Sequence, residues 1–259
     1  MINQYKKEMV KLFKQKSSWA FIIFLIVQNT FVALLSVKYP THFIPKELFI
    51  SNYASLSFIP LLIIVKASTI ISMEFEYGTL KLLLSKGYSR QKIIISKWLT
   101  IFSYSLFLYT LVMFISFINK TIFFSEIKLG DLLVNSHQRV IEYWILTNLT
   151  NFLSLWLLLS VVLLITTMLK KSNVAILIGV TGYFILNVFS TVMFGMIKQI
   201  NILKWNPINL LNFPTQLALP NKIEKLTLLS NSQMVFATLT YIIVFLLIGM
   251  LTFSRTELR

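Results

Sequence analysis

The chain has 259 residues, of which 56% are hydrophobic and 13% are charged, and its mean hydropathy is +0.77. A soluble domain is usually nearer half apolar and a quarter charged, so this composition indicates a membrane protein. The sequence contains no cysteine, which excludes disulfide bonds and thiolate metal sites. The two histidines, His42 and His137, fall in predicted outer loops, and we expect no metal and no cofactor on this chain.

The formal net charge of +15 would suggest nucleic-acid binding in a soluble protein. Here the distribution of the charge matters more than its size. Fourteen Lys and Arg residues fall on segments predicted to be cytoplasmic, nine fall on predicted outer loops, and Lys66 falls within a span. This asymmetry is the positive-inside bias of membrane proteins. We therefore predict contact with a lipid bilayer and no nucleic-acid partner.

The first predicted element is an amphipathic helix over residues 1–17. Such a helix is suited to lie flat at the level of the lipid headgroups, with its lysines facing anionic lipid. A plain basic anchor that only sets topology is the alternative. The apolar positions at helical spacing are Ile2, Tyr5, Met9, Leu12 and Phe13, and the polar positions are Lys6, Lys7, Glu8, Lys11, Lys14 and Gln15.

Six apolar runs are long enough to cross a bilayer, which takes about 20 helical residues. Backbone groups inside lipid must be hydrogen-bonded within their own segment, so we predict that each run is a helix. The six runs are residues 19–37, 53–73, 92–118, 143–169, 174–197 and 233–253. An even number of spans puts both termini on one side, and the basic flanks predict that this side is the cytoplasm. The predicted fold is all-α integral membrane, with one domain over residues 1–259.

The connections between the predicted spans alternate between the two sides of the membrane. The inner connections are residues 74–91 and 170–173, and the outer connections are residues 38–52, 119–142 and 198–232. The last of these carries Pro207, Pro214 and Pro220, with apolar pieces between them. A partly re-entrant hairpin and an ordinary exposed loop both fit this pattern.

Lys66 is the one charged residue inside a predicted span. If Glu74 marks the cytoplasmic surface, Lys66 lies about 12 Å below it, at roughly 1.5 Å per helical residue. A lysine near the middle of a membrane costs at least ~2.5–3.5 kcal/mol. Lys66 therefore either faces a polar cavity on a substrate path or extends its side chain to the inner headgroups.

Sequence motifs for several kinds of catalysis are absent. No phosphate-binding loop of the form Gly-x-x-x-x-Gly-Lys-Ser/Thr occurs, so we expect no ATP site on this chain. The nucleophile-elbow and zinc-protease motifs are also missing. No Asp or Glu falls inside a predicted span, which disfavours an ion-coupled carrier and an intramembrane aspartyl protease. We predict that the chain is not an enzyme.

The inner connection at 74–91 has the pattern of a short docking helix. Gly87 can end this helix, and Ser89 can cap the next one, whose first turn carries Arg90 and Lys92. A loop that only sets topology needs no leucine ridge, whereas a helix that inserts into a groove of a soluble partner does. The residues that could form one apolar surface are Phe75, Tyr77, Leu80, Leu83 and Leu84.

The same stretch resembles the signature joint of type-2 ABC exporter permeases. In that family a Glu, a Gly-Thr, a leucine cluster, a Ser-Arg and a Lys follow one another in this order. The matching residues are Glu74, Glu76, Gly78, Thr79, Leu80, Leu82, Leu83, Leu84, Ser85, Ser89, Arg90 and Lys97. The chain departs from the family at Gly87-Tyr88, where a proline is frequent. The amphipathic elbow helix, the six spans and the long last outer loop with Asn206-Pro207 are similar as well.

The resemblance implies a division of labour between chains. The permease would work as a pair, identical or not, with two copies of a separate ATPase subunit that holds ATP and Mg, in a bacterial cytoplasmic membrane. Residues 74–86 would be a coupling helix seated in a cleft of that ATPase. The substrate path would lie between the two permeases, lined by the first, second and fifth spans. The implied docking residues are Glu74, Glu76, Gly78, Thr79, Leu80, Leu83, Leu84, Ser85 and Arg90.

The substrate is only loosely indicated, because the family moves peptides, drugs, polysaccharides and lipids. The small size of the permease and its Ile/Lys/Asn-rich usage are similar to exporters of amphipathic antimicrobial or cytolytic peptides, such as the staphylococcal phenol-soluble-modulin exporters. An apolar cleft open to the membrane suits amphipathic helices that already partition into lipid. A membrane immunity, receptor or scaffold protein that binds a cytoplasmic partner without transport is the alternative.

Overall fold

The computed structural model describes residues 2–133, 138–169 and 171–255, with the exception of the side chain of Asn221. His137 of the predicted outer loop and Lys170 of the predicted inner turn lie outside the described residues. In chain order the elements are α1 (Ile2–Lys14), α2 (Lys16–Lys38), α3 (Pro45–Ile50), α4 (Ser55–Glu76), α5 (Thr79–Ser85), α6 (Arg90–Phe123), α7 (Val140–Met168), α8 (Ser172–Gln199), a 3-10 turn (Asn201–Trp205), α9 (Pro207–Leu210), α10 (Phe213–Ala218), α11 (Pro220–Thr227) and α12 (Asn231–Arg255).

Six helices in the described ranges are long and apolar enough to cross a membrane, namely α2, α4, α6, α7, α8 and α12. They coincide with the six predicted spans, and the predicted all-α integral membrane fold is confirmed. α6 has 34 residues, a length of about 50 Å, so it extends beyond a hydrocarbon core of about 30 Å. Pro60 lies inside α4 without ending it.

α4 occupies the middle of the bundle. It packs against both α7 and α8, and it also contacts α2 and α6. α7 packs along α12, while α1 and α2 pack on α6. The apolar residues of α4 recur every three or four positions, the spacing that faces a helix surface into a core. Those with no exposed surface are Ile59, Ile63, Ile64, Ala67 and Ile71.

The contact between α4 and α8 depends on Gly179. A Cβ atom at this position would lie 2.8 Å from Cγ2 of Ile64 and 2.9 Å from Oγ of Ser68. Both distances are shorter than a van der Waals contact, so glycine lets the two backbones approach more closely than any other residue would. Gly182 and Gly195 on the same helix have no such neighbour within 4 Å.

A buried network of asparagine side chains joins three segments at the end of the bundle opposite the 74–91 joint. Nδ2 of Asn29 in α2 donates to Oγ of Ser116 in α6 at 2.9 Å, and it also lies 2.9 Å from the backbone oxygen of Asn52. Oδ1 of Asn29 accepts from Nδ2 of Asn119 at 2.9 Å. Polar groups buried in this way are tolerated because they are hydrogen-bonded.

The turn that leads into α4 has three consecutive residues in the left-handed backbone region. Asn52, Tyr53 and Ala54 have φ values of 50°, 49° and 65°, which non-glycine residues rarely adopt. Nδ2 of Asn52 donates to Oδ1 of Asn148 at 2.6 Å, and Oδ1 of Asn52 accepts from Nε1 of Trp144 at 2.7 Å. These buried hydrogen bonds to α7 hold the turn in its strained conformation.

The last predicted outer loop is folded into short helices that pack on the bundle. α10 contacts α7, and α9 and α11 contact α8. Leu210 and Phe213 belong to the main hydrophobic core, and Oδ1 of Asn206 caps α9 by accepting from the backbone nitrogen of Ile208 at 2.9 Å. This packing favours the hairpin over an ordinary exposed loop, and its re-entry into the bilayer stays a prediction.

Candidate functional site

The joint between the second and third spans is a short helix between two glycines. Gly78 and Gly87 have φ values of 65° and 82°, a left-handed conformation that glycine adopts without strain. α5 lies between them, and the predicted end of this helix at Gly87 is confirmed. Oγ of Ser89 accepts a hydrogen bond from the backbone nitrogen of Lys92 at 3.4 Å, so the predicted cap of α6 is observed as well.

Glu74, in the last turn of α4, accepts hydrogen bonds from three other helices. Its Oε1 accepts from Nζ of Lys11 in α1 at 2.8 Å and from Nζ of Lys97 in α6 at 2.9 Å. Its Oε2 accepts from Oγ1 of Thr79, the first residue of α5. One carboxylate therefore ties α1, α4, α5 and α6 together directly below the joint.

Lys97 has no exposed side-chain surface, and its ammonium group lies between two carboxylates. Besides Glu74, it donates to Oε2 of Glu8 at 3.1 Å. Oε1 of Glu8 accepts from Nε2 of Gln4 at 3.0 Å. We name Glu8, Lys11, Glu74 and Lys97 the charge cluster. It pairs two acids with two bases, which is the condition under which charges can be buried.

Lys11 is the member of the charge cluster that reaches solvent, with half of its side chain exposed. Its partial burial lowers its pKa, but the hydrogen bond to Glu74 and the negative charges of Glu74 and Glu8 raise it. The net effect places the pKa of Lys11 above its ordinary value. Lys11 therefore keeps its positive charge opposite Glu74 throughout the neutral range.

The position of Glu8 corrects the predicted polar face of α1. That face was expected to meet the headgroups, yet Glu8 is buried between α1 and α6. The reason is Lys97 on the facing helix, whose buried ammonium needs a carboxylate partner. Lys6, Lys7 and Lys14 are exposed, as predicted for that face.

The predicted apolar positions of α1 turn toward the protein. The hydroxyl of Tyr5 lies 2.8 Å from Oγ of Ser103 in α6, and the ring of Phe13 packs edge-on against Tyr104 and Phe107. Leu12 is buried and Met9 is half-buried. α1 is thus a helix fastened to α6, and its predicted place at the membrane interface stays a prediction.

The leucines of α5 divide between two sides of the helix. Leu80 is 2% exposed, and Leu83 and Leu84 are half-buried against the main core. Tyr77 and Leu82 are 68% and 54% exposed. Leu80, Leu83 and Leu84 share one side of the helix, because residues three and four apart do so, and here that side packs on the bundle. The docking role predicted for these three leucines stays a prediction.

The outward side of the joint is formed by other residues of the same stretch. Lys81 and Ser85 are exposed beside Tyr77 and Leu82. Oγ of Ser85 donates to the backbone oxygen of Leu82 at 2.9 Å, which satisfies a carbonyl group in the last turn of α5. This surface combines two large apolar side chains with one lysine.

Two further predicted docking residues contact helix ends of their own chain. Nη1 of Arg90 donates to the backbone oxygens of Phe253 and Ser254, at 3.3 Å and 3.1 Å, at the end of α12. Oε2 of Glu76 accepts from the backbone nitrogen of Ser172 at 3.2 Å, at the start of α8. Both contacts satisfy terminal backbone groups and match the sign of the helix dipole. They connect the joint to α8 and α12.

Lys66 is buried and bonded to the junction of α1 and α2. Its Nζ donates to Oε1 of Gln15 and to Oγ of Ser17, both at 2.7 Å, and lies 5.4 Å from the ring centroid of Phe21. The adjacent cavity, between α1 and α4, has a volume of about 20 Å³, enough for about one water molecule. Gln15 and Ser17 thus provide the hydrogen-bond partners that the buried ammonium group of Lys66 needs, so no substrate is required to explain its position. The contacts favour the interpretation that the Lys66 side chain extends toward the inner side of the membrane.

A larger cavity of about 240 Å³ lies near the other end of α4, between α4, α7, α8 and α10. Its lining is uncharged and partly polar, with Ser57, Pro60, Asn151, Ser154, Tyr183, Asn187 and Thr215 among its residues. Pro60 and Glu74 are separated by about 21 Å along the helix axis. α4 therefore extends from the charge cluster to this cavity.

Sequence reasoning identified Glu74, Gly78, Thr79 and Lys97 as one motif but did not join Glu8 and Lys11 to it. A signal for Glu8 was present, since it is the one acid in an otherwise basic N-terminal helix. Pairing that acid with a specific lysine needed the packing of α1 on α6, which no local pattern gives.

The bundle of six apolar helices long enough to cross a bilayer, with a short helix fixed below it by buried charges, defines an all-α integral membrane protein. A family model described as ABC-2 family transporter protein matches residues 2–258, and the chain belongs to this family. The predicted resemblance to type-2 ABC permeases and the multi-pass membrane location are thereby confirmed.

One relative is a membrane protein of Bacillus subtilis (strain 168), named uncharacterized membrane protein YdbK. It is 29% identical over 143 residues, which cover 52% of this chain and 58% of that protein. The match therefore spans less than two thirds of the relative's length. The relative's name specifies a membrane protein and no substrate.

Proposed function

We propose that this chain is the transmembrane permease subunit of an ATP-driven exporter and takes its energy from a separate ATPase subunit at the outward side of α5. Family membership supports a transport role. The observation that carries the docking site is the exposure of Leu82 and Lys81 on α5, a helix anchored by Glu74, and of Tyr77 just before it. Large apolar side chains on a projecting helix are the usual means of docking into a groove.

The charge cluster would pass movement of α5 to the spans. A displacement of Thr79 pulls on Glu74, and Glu74 is bonded to Lys11 and Lys97. Separating buried, paired charges costs several kcal/mol, so α1, α5 and the near ends of α4 and α6 would move as one body. α4 would then carry the displacement about 21 Å along its axis to the uncharged cavity.

The complete exporter would contain two ATPase subunits, which hold ATP and Mg, and a second permease copy. Support for a second copy comes from the wide apolar faces of α2 and α8, where many large side chains are exposed. The substrate path would lie between the copies along α2, α4 and α8. The uncharged lining of the cavity between α4, α7, α8 and α10 suits a hydrophobic or amphipathic substrate, such as a cytolytic or antimicrobial peptide.

The decisive experiment is purification of the chain in detergent from its own host, with identification of the ATPase that accompanies it. Leu82→Glu places a charge on the outward side of α5 and should abolish co-purification. Leu132→Glu is the matched control, because Leu132 is also exposed, at 63%, but lies in the connection between α6 and α7. Retention of the ATPase by Leu82→Glu would show that α5 is not its docking site.

Transport itself needs a second measurement. Candidate amphipathic peptides should stimulate ATP hydrolysis by the purified complex, and cells that lack the chain should retain such peptides or become sensitive to them. An ATPase that binds the chain but is never stimulated, together with unchanged peptide export, would favour a scaffold or immunity protein instead.

A further inference from the structure

A groove with a wholly apolar lining opens on the surface of the bundle between α6, α7 and α12. Its volume is about 430 Å³. Among the residues that the structure describes, no charged or hydroxyl-bearing one lines it, and its lining includes Trp98, Leu99, Phe102, Trp156, Ile242 and Leu246. All three helices are spans, so the groove faces the hydrocarbon of the bilayer.

Lys92 stands at the end of the groove nearest the joint. It lies three positions before Ile95 and seven before Leu99, both of which line the groove, so the three side chains share one face of α6. Lys92 is exposed, and its ammonium group forms no ion pair with any of the described residues. A cation is thus placed where an apolar groove meets the aqueous surface.

Lys92 and the groove together extend over about one leaflet. Lys92 and Phe102 are ten positions apart, about 15 Å along α6. This is half of a hydrocarbon core of about 30 Å. A lipid whose phosphate contacts Lys92 would place its acyl chain beside Leu99, Phe102 and Trp156.

The charged residues of α6 and α12 at the joint end of the groove are, in the described part of the chain, all basic. α6 and α12 contain no Asp or Glu within their described lengths. Glu142, the acidic residue of α7, is ten positions from Phe152 and at the end of that helix remote from the joint. No carboxylate of these helices therefore opposes an anionic headgroup at Lys92.

We propose that this groove binds an anionic phospholipid, with its phosphate on Lys92 and one acyl chain between α6, α7 and α12. Anionic headgroups gain about fivefold in binding for each lysine near the surface. A zwitterionic lipid gains less because its own ammonium group repels the lysine. The site does not depend on ATP or on transport, so it can be tested on the isolated chain.

The test uses the fluorescence of Trp98 and Trp156 in the purified full chain, reconstituted into phosphatidylcholine vesicles. A small equal fraction of brominated phosphatidylglycerol or brominated phosphatidylcholine is added as the quencher. We expect brominated phosphatidylglycerol to quench more strongly, with about a fivefold preference. The excess should disappear when Trp98 and Trp156 are both replaced by Phe, which shows that it arises in the groove.

Two variants locate the headgroup site. Lys92→Gln should abolish the preference, whereas Lys92→Arg should retain it. Lys120→Gln, at the opposite end of α6, is the matched control and should leave the preference unchanged. Equal quenching by the two lipids would mean ordinary bilayer contact and would overturn the proposal. If neither brominated lipid quenched the fluorescence, a second copy of the chain would cover the groove. That result would also overturn the proposal.

Discussion

Nζ of Lys97 lies 2.9 Å from Oε1 of Glu74, and neither side chain is more than 3% exposed. The two residues are 23 positions apart and belong to different spans, on either side of α5. Their contact joins the ends of α4 and α6 that flank α5, and Thr79 at the start of α5 donates to the same carboxylate. The Glu74 and Lys97 part of the motif is therefore an internal anchor, whereas Tyr77 and Leu82 of the same stretch are exposed.

Replacing Lys97 by Met should destabilise the protein strongly. Met has nearly the same length as Lys but carries no charge. Glu8 and Glu74 would then face each other, and Lys11 alone would balance their negative charges. Breaking a buried ion pair in this way costs about 3–5 kcal/mol. Thermal unfolding of the detergent-purified chain, followed by loss of the monodisperse peak, measures the effect. Lys86→Met, on an exposed lysine of the same joint, is the control and should unfold like the unmodified protein.

Glu8 and Glu74 should couple through Lys97. Removing either carboxylate, as Glu8→Gln or Glu74→Gln, leaves Lys97 with one partner. Removing both carboxylates leaves Lys97 buried with no carboxylate partner. The loss of unfolding free energy in the double variant should therefore exceed the sum of the two single losses by about 0.5–3 kcal/mol. A double-mutant cycle on unfolding free energies gives this number directly. Strict additivity would mean that Glu8 does not share Lys97 with Glu74.

The spans were predictable because each is a long apolar run, and the bilayer requires such a run to be helical. Gly87 and Ser89 were predictable as well, since helix ends have local signals. The side of α5 that faces away from the bundle could not be predicted from the sequence. Leu80, Leu82, Leu83 and Leu84 are equally apolar in sequence, and only the packing of α5 on the bundle separates buried Leu80 from exposed Leu82.

The polar networks were the other part that sequence patterns could not give. Asn29, Asn52 and Asn148 come from two spans and a loop, at separations of 23 to 119 positions. Their hydrogen bonds depend on how the spans meet. A single sequence shows that an asparagine is present but not which distant group satisfies it.

Gly179→Ala should destabilise the contact between α4 and α8. The new methyl group would meet Cγ2 of Ile64 and Oγ of Ser68 at under 3 Å, and overpacking of this kind costs about 1–3 kcal/mol. Gly182→Ala is the matched control, because nothing lies within 4 Å of a Cβ there. Since alanine favours helix formation, that variant should be neutral or slightly more stable. Equal unfolding temperatures for the two would contradict the close approach.

Asn52→Ala and Asn52→Gly should separate the two roles of Asn52. Both remove the hydrogen bonds to Asn148 and Trp144 and should cost about 1–3 kcal/mol for the groups left unsatisfied. Alanine should cost about 1–2 kcal/mol more than glycine, since it disfavours the left-handed φ of 50°. Unfolding free energies of the two variants check the order. If alanine were the milder change, strain in this turn would not be a feature of the folded protein.

Thr79→Val should separate docking of the ATPase from transmission of its movement. Valine keeps the shape of threonine at the start of α5 but removes the hydroxyl that donates to Glu74. The outward residues Tyr77 and Leu82 are unchanged, so the ATPase should co-purify as before. Export should fall, because α5 is no longer bonded to the charge cluster, and the loss of one such hydrogen bond is worth about 1.5–3 kcal/mol. Thr79→Ser keeps the hydroxyl and should export normally. Normal export by Thr79→Val would mean that movement reaches the spans by another route, with the contacts of Leu80 and Leu83 on the core as the next place to test.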